Sequence, residues 1–223
     1  MRSFVVGDVH GHLYSFIALL KKAGIKQDDE IIQLGDLGHF SLDTQHSDLA
    51  VFRFARRLPN FLMLWGNHDR AVVDEQQHWF RGYHHPLVAT RQLLTDLKPQ
   101  LSAARHGYLI THAGLHKDFE KPGYTAEDYN RLLHVNGLSH LINAVSRRRG
   151  GLAPAGGILW RDIREPLADI PQIFGHTCGE AVMQFVRPNH NSFCIDIASA
   201  TNDHLAGIWL PSLEIVITKE NVS

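Results

Sequence analysis

The sequence lacks several features that mark particular protein classes. Only two cysteines, Cys178 and Cys194, occur in 223 residues, too few for the disulfide framework of a small secreted domain, so both are predicted to be free thiols. No run approaches the roughly 18 apolar residues of a membrane span, and the first residues lack the pattern of a signal peptide. We therefore expect a cytoplasmic protein without a membrane partner.

An excess of charge of one sign is also lacking. The 22 lysine and arginine residues are balanced by 23 aspartate and glutamate residues, for a formal net charge of -1. Because no overall positive field would gather nucleic acid, stable nucleic-acid binding is not expected, and an anionic substrate must be recognised locally. The 44% hydrophobic content is ordinary for a globular protein. We expect one domain over residues 1–223, and the sequence indicates no oligomeric state.

The first half of the chain alternates short apolar runs with helical patterns, which is typical of βαβ units. Strands are predicted at 4–6, 31–34, 61–64 and 108–111, and helices near 13–24, 44–58, 69–79, 86–97, 125–134 and 137–148. Closely spaced strands are predicted from residue 172 onward, at 172–174, 181–186, 192–197, 204–210 and 213–218. This order predicts two packed sheets flanked by helices, the second more antiparallel than the first.

Potential metal ligands follow five of these strands, each within two residues of a glycine that permits a sharp turn. In open α/β sheets, sites lie on loops beyond the carboxyl ends of strands, where such residues meet. An aspartate after one strand is usually a turn or cap residue, but five such ends in one chain point to a site. The six candidate ligands are Asp8, His10, Asp36, Asn67, His112 and His176.

The residue types indicate the chemistry. Carboxylate and imidazole together suit zinc, iron or manganese. A carboxylate can bridge two ions, and Asp36 is the natural bridge because it comes from the middle of the predicted sheet. Two divalent ions about 3.5–4 Å apart can share a hydroxide that attacks phosphorus. His68, beside the ligand Asn67, is predicted to protonate the departing oxygen or to stabilise it as a charged donor.

Five sequence blocks together resemble the calcineurin-like metallophosphoesterase superfamily, over nearly the whole chain. They are Gly7-Asp8-Val9-His10-Gly11, Gly35-Asp36, Gly66-Asn67-His68-Asp69, His112-Ala113-Gly114-Leu115 and Gly175-His176-Thr177. The likeness is greatest to the bacterial branch near phosphoprotein phosphatases and symmetrical dinucleoside tetraphosphatases.

The resemblance implies a four-layer α/β/β/α sandwich of two mixed sheets with two metal ions, manganese or iron first and zinc also possible. One ion would be held by Asp8, His10 and Asp36, and the other by Asp36, Asn67, His112 and His176. His68 would be the catalytic histidine.

One departure from the family pattern concerns the second block. Phosphoprotein phosphatases continue it with an aspartate that orients the catalytic histidine and an arginine that grips phosphate, whereas this chain has His39 and Phe40. His68 must then be oriented otherwise, and His39 is a candidate for the pocket wall. The segment 159–164 resembles a tryptophan and arginine block of related bacterial enzymes, so Arg161 and Arg164 are the predicted phosphate-binding residues. For either arginine, a surface pair with Asp162 or Glu165 is the alternative.

Several substrate classes are compatible with these residues. We expect a phosphorylated small molecule, a nucleotide or a phosphopeptide, cleaved as a phosphoester or, alternatively, as the phosphoanhydride of a dinucleoside polyphosphate. Cyclic nucleotide phosphodiesterases usually carry a histidine two residues after the last ligand. This chain has Cys178 there, which counts against a cyclic nucleotide phosphodiesterase. A non-catalytic module that keeps its metals for structure is the remaining alternative.

The run 147–149 is predicted to be a solvated basic loop, and Asp69 a helix cap.

Overall fold

The first half of the chain forms the strand and helix units that its hydrophobic pattern predicts. The computed structural model of the chain describes residues 1–74, 87–134, 139–197 and 203–218. Its elements in this half are β1 (Ser3–Val6), α1 (Leu13–Ala23), β2 (Glu30–Gln33), α2 (Gln45–Ala55), β3 (Phe61–Met63), α3 (Asn67–Val73) and α4 (Val88–Asp96). Helix α1 ends at Gly24, whose φ of 64° gives the left-handed cap that glycine favours.

The second half contains more strands than helices. Its elements are β4 (Ser102–Arg105), β5 (Tyr108–Thr111), α5 (Ala126–Arg131), α6 (Ser139–Asn143), β6 (Gln172–Phe174), β7 (Met183–Val186), β8 (Asn191–Cys194), β9 (Leu205–Leu210) and β10 (Ile215–Thr218). Strand β4 was not predicted. The helix predicted at 137–148 ends at Asn143 instead, and a separate 3-10 turn forms at Arg147–Arg149. Residues 75–79 of the helix predicted at 69–79, and 137–138 of the helix predicted at 137–148, lie outside the described residues.

The strands form two five-stranded sheets, in the orders β10-β9-β1-β2-β3 and β4-β5-β6-β8-β7. Each sheet has two parallel and two antiparallel pairings. The prediction that the second sheet is more antiparallel was therefore wrong. Strands β9 and β10 return to the first sheet, where β9 pairs antiparallel with β1, instead of extending the second.

Alternation of side chains along the strands produces the layers. Phe4 and Val6 of β1 pack in the cluster that includes Phe16 of α1 and Phe52 of α2. Val5, between them, points to the opposite face, where a second cluster fills the space between the two sheets. On the second sheet, α5 covers β4. The expected two mixed sheets with flanking helices are confirmed.

The topology brings the predicted ligands to one edge. Strands β1, β2 and β3 run parallel in one sheet, as do β5 and β6 in the other. Their carboxyl ends, and the loops that follow them, therefore meet at one rim. Across the described residues, no helix is long and apolar enough to span a membrane.

Candidate metal centre

Three of the six predicted ligands lie on backbone that non-glycine residues rarely adopt. His10, Asp36 and His176 have φ angles of 47°, 53° and 70°, in the left-handed region. Such conformations persist only where neighbouring structure holds them. Here the amides of Val9 and His10 both donate to the carbonyl oxygen of Asp36, at 3.1 and 2.9 Å. The loops after β1 and β2 are thereby fixed to each other.

The loop after β3 is held against Asp36 by the carboxylate of Asp69. Its Oδ2 accepts hydrogen bonds from the amides of Asp36 and Gly66, at 2.7 and 3.2 Å. A side chain at Gly66 would overlap Asp36, so this close approach requires glycine. The prediction that Asp69 caps α3 is confirmed, and the same carboxylate also positions Asp36.

Asp8, His10 and Asp36 form the first group of potential ligands. One ligand atom from each lies within 4.8 Å of the other two. Nε2 of His10 is 3.9 Å from Oδ2 of Asp8 and 4.0 Å from Oδ2 of Asp36. Because metal bonds to oxygen and imidazole nitrogen are roughly 2 Å long, an ion fits between these atoms. All three residues are buried.

Asp36, His112 and His176 form the second group, again with ligand atoms within 4.8 Å. Nε2 of His112 is 3.6 Å from Oδ2 of Asp36, 2.8 Å from Oδ1 of Asn67 and 3.1 Å from Nδ1 of His176. The structure thus brings all six predicted ligands together. Oδ2 of Asp36 lies between the two groups.

The hydrogen bonding of His112 favours a cation in the second group. Its Nδ1 lies 3.0 Å from the carbonyl oxygen of Leu34, which can only accept, so Nδ1 carries the hydrogen and Nε2 presents a lone pair. That lone pair faces Oδ1 of Asn67 and Nδ1 of His176 at 2.8 and 3.1 Å, and Oδ2 of Asp36 at 3.6 Å. Nε2 of His176 is buried and, within the described part of the chain, has no hydrogen-bond partner. These donor atoms fit a divalent ion.

The charges of the site lead to the same conclusion. Burial raises the pKa of Asp8 and Asp36 well above their ordinary value, and neighbouring carboxylates raise them further. Burial lowers the pKa of His10 and His176 well below the ordinary value and that of His112 to about 3. These imidazoles are neutral and cannot balance the acids. Among the ion pairs of the described residues, neither aspartate has a lysine or arginine partner.

His68 lies beside these groups and is oriented by a backbone oxygen. Its Nε2 is 4.0 Å from Oδ2 of Asp36, and its Nδ1 is 3.1 Å from the carbonyl oxygen of His39. The His39 carbonyl thus supplies an orienting acceptor where the family pattern has a carboxylate. Burial lowers the pKa of His68 to about 3, with the neighbouring His39 as the second cause, so its imidazole is neutral in the free protein.

The His39 side chain lies in the site, whereas Phe40 belongs to the core. Nδ1 of His39 is 3.2 Å from Nδ1 of His10, and its ring stacks on that of His68 with 5.4 Å between centroids. Phe40 is buried against Phe52. The carboxylate of Asp48 accepts hydrogen bonds from the backbone amides of His39 and Phe40, at 2.9 Å each. This segment therefore offers no arginine to a phosphate group.

The two predicted phosphate-binding arginines differ in placement. Arg161 is 1% exposed, and its guanidinium donates to the carbonyl oxygens of Ala113, Asp162 and Glu165 at 3.1, 3.1 and 2.8 Å. Arg164 is exposed and paired with Asp162, at 2.7 Å. Arg161 is thus engaged with the scaffold, and Arg164 forms the surface pair considered as its alternative. Their role in phosphate binding stays a prediction.

Arg149 is a cation near the centre that sequence reasoning missed. The sequence predicts it as part of a solvated basic loop, but it is less exposed than Arg147 and Arg148. Its Nη2 donates to the hydroxyl of Thr177, the residue after His176, and its Nε lies 3.3 Å from Oδ2 of Asp162. Burial is the largest cause that lowers the pKa of His112 and His176, and the positive charge of Arg149 is a smaller cause for both. Only its position in the fold distinguishes it from its neighbours.

Asp196 is a second residue that the sequence did not reveal. It is buried. Its charge is the second-largest cause, after the burial of Asp8 itself, that raises the pKa of Asp8. The sequence pattern placed it inside a strand at 192–197, whereas β8 ends at Cys194. It therefore lies beyond a strand end, like the predicted ligands. Cys178 and Cys194 are both unpaired, as predicted.

Comparison with known proteins identifies a family match. A model of the calcineurin-like phosphoesterase family matches residues 1–193, a range that includes all six predicted ligands. No curated protein gave a significant match.

Several solved structures share the fold. A protein provisionally named as a diadenosine tetraphosphatase superposes with a TM-score of 0.63 at 19% identity, covering 97% of this chain and 92% of that one. A cold-active protein-tyrosine phosphatase of a Shewanella species gives 0.62 at 16% identity, covering 93% and 75%. A protein serine/threonine phosphatase from Saccharomyces cerevisiae gives 0.56 at 13% identity, covering 98% and 79%. At these identities the likeness concerns the fold.

Proposed function

Since the chain belongs to the calcineurin-like phosphoesterase family, we propose that it hydrolyses phosphate esters at a centre of two divalent cations. The observation that carries this proposal is the position of Asp36. Its Oδ2 is 4.0 Å from Nε2 of His10 and 3.6 Å from Nε2 of His112, so one carboxylate serves both ligand groups. The first ion would be held by Asp8, His10 and Asp36, and the second by Asp36, Asn67, His112 and His176.

The bound ions would supply a hydroxide nucleophile at neutral pH and positive charge for the phosphate oxygens. Nitrogen and oxygen ligands in this combination suit manganese, iron or zinc. The protein contributes the fixed positions of the ligands. The loops after β1, β2 and β3 are joined through backbone hydrogen bonds to Asp36 and Asp69, which keeps the ligand spacing independent of the substrate.

His68 assists departure of the leaving group. The carbonyl of His39 holds its Nδ1 hydrogen, which leaves Nε2 to bind the second proton. Burial keeps this imidazole neutral in the free protein, and a bound phosphate dianion favours its charged form. Nε2 then donates to the departing oxygen, either as a general acid or as a charged hydrogen-bond donor.

Arg149 is the cation that we assign to the phosphate. It is partly exposed beside Thr177 and His176, whereas Arg161 is buried with its Nε and Nη1 bonded to backbone carbonyls, and Arg164 extends into solvent. A guanidinium in this position can donate two hydrogen bonds to a phosphate group. Asp162, its ion-pair partner, holds it in place.

Two other functions remain as alternatives. Cleavage of a dinucleoside polyphosphate uses the same ions and the same proton donor on a phosphoanhydride. A non-catalytic module would need the ligand set but not His68, whose orientation by His39 favours an enzyme. We also keep the proposal of a cytoplasmic protein with a single catalytic domain.

Hydrolysis of para-nitrophenyl phosphate with added manganese tests the proposal. The wild type is expected to turn over, and His68→Ala to lose most of the rate with its metal content intact. His140→Ala is the matched control, because His140 is an exposed histidine of α6. Equal and negligible turnover by wild type and His68→Ala would favour the non-catalytic module.

A further inference from the structure

A cavity adjoins the candidate metal centre on the side of His10. It has a volume of about 470 Å³, within the range of small-molecule sites. Its walls come from the loop after β1, from the first turn of α1 and from the start of α2, and Asp203 closes one side. His10 lines this cavity and also belongs to the first ligand group. A molecule bound at the ions can therefore extend into it.

The charge of this cavity disfavours phosphate. Among the described residues that line it there is no lysine or arginine. Its carboxylate, Asp203, lies 2.6 Å from Nδ1 of His12 and keeps 41% of its side chain exposed. This carboxylate offers an acceptor to a sugar hydroxyl, whereas the described lining offers a second phosphate group no lysine or arginine. The cavity is therefore suited to an uncharged group that carries hydroxyls.

Tyr14 supplies an aromatic surface in the same cavity. It lies in the first turn of α1 with 79% of its surface exposed, which is unusual for so large a ring. An exposed aromatic ring can serve as a platform on which a base stacks. Thr44 and Ser47, at the start of α2, also line the cavity. The combination matches a base and a ribose.

The opposite flank of the centre has the complementary character. Arg149 lies beside His176, on the side of the second ligand group, while the cavity lies beside the first. The site thus has one end with a cation and another end with an aromatic ring and a carboxylate. We propose that the cavity lined by His10, Tyr14 and Asp203 binds the nucleoside of a nucleotide phosphate. This inference rests on the proposed function and names nucleotides, not phosphopeptides, as its substrate class.

Substrate preference tests this assignment. The probes are diadenosine tetraphosphate and 2-glycerophosphate, which has no base, and the variants are Tyr14→Ala and Tyr14→Phe. Stacking of one base predicts that Tyr14→Ala lowers the ratio of kcat/KM values, nucleotide over glycerophosphate, about tenfold, mainly through KM. Tyr14→Phe should restore the ratio. Tyr124→Ala is the matched control, since Tyr124 is also exposed but lies outside the cavity. An unchanged ratio in Tyr14→Ala would overturn the assignment.

Binding of AMP, measured by calorimetry without turnover, separates this inference from the hydrolase proposal. Weaker binding by Tyr14→Ala than by Tyr124→Ala supports the cavity even if no substrate is cleaved, in which case only the hydrolase proposal fails. No AMP binding by the wild type, or equal binding by the two variants, overturns the nucleoside assignment even if 2-glycerophosphate is cleaved. Circular dichroism confirms that each variant is folded.

Discussion

Strand β2 has a buried carboxylate at each of its ends, and the two are neutralised in different ways. At its start, Glu30 accepts hydrogen bonds from Nε and Nη2 of Arg105 at 2.7 and 2.6 Å and from the hydroxyl of Ser3 at 2.7 Å. Beyond its other end, Asp36 meets imidazoles and another carboxylate. The protein supplies a cation at one end and leaves the other to be neutralised from outside.

The pKa values of the two carboxyls follow this difference. Burial alone would raise the pKa of Glu30, but the bonds from Arg105 and Ser3 outweigh it, and the pKa is lowered. For Asp36, burial and the nearby Asp69 raise the pKa well above its ordinary value. A buried acid without a counter-charge costs stability and persists where function requires it. The comparison thus separates a carboxylate that is neutralised by an arginine from one that has no lysine or arginine partner among the described ion pairs.

Replacing Asp36 should have the largest effect. Asp36→Asn is expected to remove at least one ion and to lower kcat/KM more than about 100-fold, beyond the range for residues that only support ligands. Elemental analysis and turnover of para-nitrophenyl phosphate measure this. With the metals removed by a chelator, the same variant should melt at a higher temperature than the wild type, because a repelled buried charge is gone. Retention of two ions would contradict the bridging role.

His68→Ala tests whether a proton donor lies beside Asp36, beyond the carboxyl end of β2. The rate should fall by about 10²- to 10⁴-fold, the usual contribution of general acid catalysis, while both ions remain bound. Stopped assays with elemental analysis on the same sample provide the measurement. Metal loss in this variant would assign His68 to the ligand set instead.

Arg149→Ala tests the cation that the protein places beside the centre. We expect KM to rise and kcat/KM to fall about 10- to 100-fold, since a charge-assisted bond to phosphate contributes about 1.5–3 kcal/mol. Arg149→Lys should recover part of the loss. Arg164→Ala is the matched control because Arg164 pairs with the same Asp162. A larger loss in Arg164→Ala would return the phosphate role to Arg164.

Glu30→Gln should affect stability alone. Loss of the charge that Arg105 pairs with is expected to lower the free energy of unfolding by about 1–3 kcal/mol, with metal content and turnover as in the wild type. Because the folded pKa of Glu30 is lowered, its contribution is present above the ordinary pKa and is lost as the pH falls through the folded value. Urea unfolding of both proteins at neutral and acid pH measures it. A constant difference across that range would contradict the pairing.

Much of the centre could be predicted because its residues follow strands. The carboxyl ends of parallel strands share a rim, so a polar residue after each strand, such as Asp8, Asp36 or His112, is directed to the same place. Hydrophobic alternation and glycine positions were sufficient to find those strand ends. The prediction did not require knowledge of which residues, distant in the chain, contact each other in the fold.

The features that were missed depend on contacts distant in the chain. Strand β4 has the sequence Ser-Ala-Ala-Arg, with no β-branched residue to mark it, and it forms because it pairs with β5. Arg149 is partly enclosed only because Asp162 and Thr177 reach it. The acceptor for His68 is a backbone carbonyl, which residue identity at position 39 does not reveal.

The carboxylate of Asp69 has a wider consequence. Burial raises its pKa to about 7, yet it belongs to neither group of potential ligands and instead fixes the start of α3 to the loop of Asp36. Asp36 and the helix that carries His68 are thereby held in one unit. Substitutions elsewhere on the rim should therefore leave the spacing between Asp36 and His68 unchanged.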